Sequence, residues 1–145
     1  MALFALRAGA ARWPIVDLPI INVVQGYFLI KCLGGNAVRL FGEENRAAAA
    51  EVLPYWEFFE RNRDYSFVFN RSSLPEIQRD RVDEYLAEIE MRGAKLLSIN
   101  HEDNAPNHLN LHQIIAERGK LECHFRHPYW IRKGFVEELF MSSGR

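Results

Sequence analysis

The sequence predicts an α/β fold, a single domain in which crossover helices link the strands of one sheet. Three observations carry that expectation. The 145 residues are 48% hydrophobic and 26% charged, with only 9 Gly and 6 Pro, which suits one globular core and excludes a disordered or fibrous chain. Short runs rich in β-branched and aromatic residues alternate with helical patterns, and crossover helices are what join parallel strands. Two cysteines, Cys32 and Cys123, cannot build a disulfide framework, so packing must hold the fold. The expected division is an N-terminal arm over 1–19, an α/β body over 20–126 and a C-terminal docking tail over 127–145.

The arm, MALFALRAGAARWPIV, holds Arg7 and Arg12, several alanines and no acid. Wound as a helix it places Phe4, Ala8 and Ala11 on one side. An acid-poor, Arg-bearing start has the character of a mitochondrial targeting segment, here uncleaved; an ordinary N-terminal arm is the alternative. Residues 14–34 form the longest apolar tract. It contains Asp17, Asn22, Gln25, Lys31 and two prolines. A central charge costs about 2.5–3.5 kcal/mol on insertion scales, and a span needs about 20 predominantly apolar residues. IINVV and YFLIKCL therefore read as buried strands, with a single membrane span as the rival.

Gly34-Gly35 closes that tract as a tight strand-to-helix turn. Glu43-Glu44 then opens an alanine-rich helix that Pro54 kinks or restarts, its acids facing the positive end of the helix dipole. YSFVFN (65–70) is a strand. Ser73 and Glu76 have capping-box spacing, with Pro75 tolerated in the first turn. The following helix carries Val82, Tyr85, Leu86 and Ile89 as one stripe, and Gly93 ends it. KLLSIN (95–100) is a strand, the polar loop HEDNAPN follows, and a short helix from about His108 to Arg118 closes at Gly119. KLECHF (120–125) is a last strand, and GFVEELFM an amphipathic tail.

The net charge of −1 divides unevenly. Residues 1–42 carry four cations against Asp17 alone, +3; residues 120–145 carry five against three glutamates, +2; the middle is −6. The basic ends are the docking candidates: Arg7 and Arg12 in the arm, then Arg126, Tyr129, Trp130, Arg132 and Lys133 within CHFRHPYWIRKG. Such residues neutralise phosphates, stack on unpaired bases, or anchor protein interfaces.

Catalytic constellations are not visible. Cys32 lacks a CxxC partner, Gly34-Gly35 lacks the further glycines and lysine of a phosphate loop, and the paired carboxylates lie on polar helix faces. No cofactor is expected. A metal is not expected either, although His108, His112, Cys123 and His127 could offer four tetrahedral zinc ligands.

The strand ending Cys32-Leu33-Gly34-Gly35, then a helix, then YSFVFN, resembles a thioredoxin-like domain without its redox motif, over roughly residues 20–120. That family is shared by mitochondrial ribosomal proteins and a small accessory subunit of respiratory complex I. The stretch Tyr65–Asn100, notably MRGAKLLSIN, is similar to the ferredoxin-like protein of the small ribosomal subunit. Both resemblances imply a structural, non-catalytic subunit of the mitochondrial ribosome, a ribonucleoprotein of the matrix. Its partners would be neighbouring subunits, with rRNA at the termini. The rival is a single-pass accessory subunit of an inner-membrane respiratory or ATP synthase complex; a small soluble enzyme is a third class.

Overall fold

In the computed structural model, residues 1–44, 47–62, 64–102 and 109–143 are described. The fold is mixed α/β, with one parallel and one mixed sheet. The chain divides into two compact units, 1–63 and 64–145, a boundary that falls inside the expected 20–126 body.

The first unit contains helix α1 (Ala2–Arg7), strand β1 (Trp13–Asp17), helix α2 (Pro19–Leu33), and strands β2 (Val38–Leu40) and β3 (Ala50–Pro54). Its sheet is parallel in the order β1-β3-β2, with Ile15 opposite Val52 and Val38 opposite Ala50. Central β3 is buried along its whole length, as parallel strands covered on both faces are. Ala2, Leu3, Leu29, Val38, Ala50 and Val52 form the core.

Two sequence expectations change here. The tract 14–34 is one strand and one long helix rather than two buried strands. Pro19 at the first helical position removes no needed donor and presets the helical φ. The Asn22 side-chain amide donates to the Leu53 carbonyl at 2.7 Å, tying α2 to β3. Ile20, Val23, Val24 and Tyr27 remain exposed on this helix. Gly34-Gly35 accordingly follows a helix, Gly34 capping it at φ +86°. The alanine-rich stretch expected as a helix yields β3 instead. Residues 45 and 46 of it lie outside the described residues.

The second unit contains β4 (Phe67–Arg71), α3 (Arg79–Arg92), β5 (Lys95–His101), α4 (Leu111–Arg118), β6 (Leu121–Pro128) and β7 (Phe135–Ser142). The sheet order is β4-β5-β7-β6: β4 and β5 run parallel, and β7 is antiparallel to both its neighbours. YSFVFN and KLLSIN lie in strands and both helices are present, α3 starting at Arg79 rather than after Ser73, and Gly93 and Gly119 end α3 and α4 in left-handed backbone. The stripe Val82, Leu86 and Ile89 is buried. The expected amphipathic tail is not a tail. It is strand β7, in the interior of the sheet between β5 and β6.

Candidate functional site

Parallel strands leave unpaired backbone groups and the turns that follow them at their carboxyl ends, which is where open α/β sheets bind ligands. In the second unit, β4 ends with Arg71 opposite Ile99, and β5 runs on through Asn100 to His101. A cavity of about 240 Å³ lies there, lined by Ser72, Pro75, Glu76, Asn100, His101, Arg132 and Phe135.

Each lining residue is positioned by local structure. Ser72 follows β4 with φ +52°, a left-handed conformation for a residue with a side chain. Its N–H donates to Asn100 Oδ1 at 3.0 Å and to the Ile99 carbonyl at 3.2 Å, which holds the turn. Asn100 is buried and donates through Nδ2 to Ser98 Oγ at 2.5 Å. Asn70, also buried, accepts from Ser73 Oγ and from the Leu74 N–H, fixing the one-turn 3₁₀ segment that carries Pro75 and Glu76. The capping box expected of Ser73 and Glu76 is therefore absent: Ser73 bonds Asn70, and α3 begins after Gln78.

The opposite wall is the β6–β7 connection. Phe135 packs with Ile99 and Tyr129, and its ring meets His101 edge-on at 5.0 Å. Arg132 lays its guanidinium over Phe135 at 4.3 Å. Gly134 makes this closeness possible. Its φ is +82°, and a Cβ there would sit 2.6 Å from His101 Nε2. The cavity thus offers an imidazole, a hydroxyl, a carboxylate, a guanidinium and an aromatic face.

Of the docking and metal candidates among the described residues, Arg132 alone lines this cavity. Arg7 is in the last turn of α1, and Arg12 pairs with buried Glu51. Arg126 bonds Glu138 at 2.6 Å and Glu102 at 2.5 Å. Tyr129 is buried beneath Arg71, whereas Trp130 and Lys133 are exposed. Of the zinc candidates, His112 and Cys123 come together with Glu138, His127 stacks on Phe125 instead, and His108 lies outside the described residues. Burial and the Glu138 carboxylate push the Cys123 thiol up, against the pull of Arg126.

Sequence reasoning passed over Ser72, Asn100, His101 and Phe135. The available signal was two apolar runs that each end in polar side chains, Asn70-Arg71-Ser72 and Ser98-Ile99-Asn100-His101. Polar ends on two parallel strands mark a binding edge.

No protein family matches the sequence, and no curated protein matches it. Solved structures do. The mitomycin 7-O-methyltransferase MmcR superposes with a TM-score of 0.62 at 14% identity, covering 91% of this chain and 42% of that one. LepI in complex with SAM gives 0.61 at 14% identity, covering 98% and 40%. A candidate methyltransferase from Pseudomonas syringae gives 0.61 at 12% identity, covering 90% and 73%. The chain spans about two fifths of the length of the first of these.

At such identities the likeness establishes the fold alone, and the solved structures that share it belong to neither family that the sequence resembles. The expectation of a structural, non-catalytic subunit of the mitochondrial ribosome, a ribonucleoprotein, rested on those two resemblances and is overturned with them: the chains that share the fold include methyltransferases and a complex with SAM. As for the single-pass rival, no helix among the described residues is long and apolar enough to cross a membrane.

Proposed function

We propose that this chain serves S-adenosylmethionine-dependent methyl transfer and that its second unit holds the methyl acceptor, a small hydroxylated compound bearing an acidic group. The observation that carries this reading is the cavity at the carboxyl ends of β4 and β5, with His101 in its wall. The fold shared with methyltransferases supports it.

The roles follow from the chemistry of the lining. His101 takes the proton from the acceptor hydroxyl, since a neutral imidazole is the side chain best suited to that transfer near neutral pH. Arg132 pairs with the acidic group of the acceptor; its guanidinium is already oriented by Phe135. Glu76 accepts from a second hydroxyl. Phe135 and Pro75 supply the apolar surface that holds a ring and excludes water. Asn100 is occupied by Ser72 and Ser98 and so shapes the pocket rather than binding.

S-adenosylmethionine, when bound, supplies an electrophilic methyl group. Asp17 in the first unit fits its ribose: a carboxylate ending a parallel strand, oriented by the Leu18 N–H at 2.7 Å and by Gln25 Nε2 at 2.8 Å. A glycine-rich turn directly after a strand, which lets backbone approach such a cofactor closely, does not occur among the described residues. The fit therefore stops at the ribose, and no step is derived through the methionine end.

Nitrogen–proton NMR on the full chain tests both parts separately. S-adenosylhomocysteine is expected to move the Leu18 amide, which reports on Asp17, and Asp17→Asn to abolish that shift. Separately, 4-hydroxybenzoate is expected to move the Ser72 amide and the His101 ring, and Arg132→Ala to weaken it about tenfold, the loss of one charge-assisted contact. Unmoved signals at millimolar concentrations of both ligands would overturn the proposal.

A further inference from the structure

A second cluster lies where α4 meets strands β6 and β7. His112 Nδ1, Cys123 Sγ and a Glu138 carboxylate oxygen all lie within 4.8 Å of one another. We propose that these three residues form a zinc site, open at its fourth position, unrelated to the cavity that holds the acceptor.

Three elements converge to build it. His112 sits in the first turn of α4, whose start is fixed by Asn110: its side chain accepts from the Gln113 N–H at 3.1 Å. Glu138 is on β7 and is 4% exposed. Cys123 and Arg126 are on β6, three residues apart, and would face opposite sides of a regular strand. A bulge between Cys123 and Phe125 adds one residue, so Cys123 pairs with Phe140 and Arg126 with Glu138. Residues 138 and 140 share a face of β7, so the bulge puts the thiol, the guanidinium and the carboxylate on the same side. Bulges commonly re-aim side chains in this way.

The donor set selects the metal. One sulfur, one imidazole nitrogen and one carboxylate oxygen suit zinc, whereas magnesium and calcium require oxygen shells. Tetrahedral zinc bonds of about 2.0–2.3 Å place ligand atoms roughly 3.3–3.8 Å apart. His112 Nδ1 and Glu138 Oε1 are now hydrogen-bonded at 2.6 Å, and the third atom lies within 4.8 Å, so adjustments of about 1 Å suffice. Zinc would replace the proton of that hydrogen bond and displace the Cys123 thiol proton to solvent. His112 would bind as neutral imidazole with its proton on Nε2. The two anionic ligands then neutralise the dication.

Arg126 does not compete for the site. It donates to Glu138 Oε1 at 2.6 Å and to both oxygens of Glu102 at 2.5 Å, so its charge is already balanced and it orients the ligating carboxylate from outside the metal shell. Cys123 is exposed and His112 partly so, which leaves a path for the ion.

Cobalt(II) titration of the full, reduced chain tests the site, because a thiolate ligand gives a sulfur-to-metal charge-transfer band. One equivalent of cobalt is expected to produce that band and a tetrahedral visible spectrum, and zinc to bleach both. Cys123→Ser should remove the band, and His112→Ala should weaken zinc binding at least about 100-fold, more than the loss of an outer partner. Far-ultraviolet circular dichroism of each variant controls for folding. No band with excess cobalt, or zinc binding unchanged in both variants, would overturn the site; the second result would place the metal on other histidines.

Discussion

Glu51 shows how one residue can decide whether a unit folds. It is 1% exposed on β3, the central strand of its sheet, where a carboxylate is tolerable only if charged partners meet it. Arg12 and Arg39 both do, on different carboxylate oxygens. Arg39 is largely buried and Arg12 more than half exposed, so the two bonds are unequal. Arg39→Met is expected to destabilise the first unit by about 3 kcal/mol, because it strips a buried charge of its better-shielded partner. Arg12→Ala should cost about 1 kcal/mol or less. Urea denaturation of the two variants measures the difference, and equal losses would show that Glu51 does not depend on burial of its partner. The sequence could not reveal this arrangement. AEVLP offers an acid between apolar residues, and nothing local marks it as enclosed.

At the scale of elements, α3 and α4 are joined by ions rather than by side-chain packing alone. Arg118 on α4 bonds Glu90 through Nε and Nη2 at 2.7 Å each and Asp83 at 3.0 Å; Arg79 also bonds Asp83 at 3.0 Å. Glu90 is almost fully buried, so Arg118→Met is expected to cost about 2–3 kcal/mol, with Lys120 at 3.7 Å compensating only in part. Asp83 adds a pH signature. Desolvation raises its pKa, but hydrogen bonds from Arg79 and Arg118 outweigh this and hold it below the usual carboxylate range. A depressed native pKa gives stability that is present above the ordinary carboxylate value and lost as pH falls through the native one. Thermal melts between pH 5 and about 3 should therefore drop less steeply for Asp83→Asn than for the parent chain. Parallel slopes would remove Asp83 from that role.

The same scale shows why some elements were legible and others not. A stripe such as Val82, Leu86 and Ile89 encodes the facing of a helix directly, and the apolar, β-branched run of KLLSIN marks a strand, buried at Ser98, Ile99 and Asn100 in succession. Failures came where tertiary context outweighed composition. The β-branched and aromatic residues of IINVVQGYF favour strands, yet Pro19 and the anchoring of Asn22 on β3 make them helical. Alanines favour helix, yet Ala50 is small enough for the crowded centre of a parallel sheet and is fully buried there. Phe135, Val136, Leu139 and Phe140 are spaced for a helix face but belong to a strand held between two others. The cavity was illegible for a related reason. Its residues come from the segment after β4, the end of β5, the β6–β7 turn and the start of β7, which the strand order brings together.

For the whole molecule, net charge along the chain proved a poor guide to its surface. Arg12 and Arg39, half of the cations behind the +3 of residues 1–42, are engaged by Glu51. Arg126, counted as a docking cation, is held by Glu102 and Glu138. Two of the five docking cations, Arg12 and Arg126, are thus held by carboxylates of the chain itself, whereas Lys133 is exposed. Pairing within each unit has a further consequence. All four strands of the second unit find their partners inside 64–145, and Val82, Leu86, Ile89, Leu96, Ile115 and Phe140 give it a buried core of its own. At about 80 residues it exceeds the size at which many domains fold alone. Residues 64–145 expressed separately are therefore expected to unfold cooperatively in urea, with a slope of roughly 1 kcal/mol per molar. Retained cavity binding of 4-hydroxybenzoate by that piece would locate the acceptor site wholly within it. A broad, sloping transition would instead show that its core needs residues 1–63 to close, whatever hydrogen bonds its own strands make.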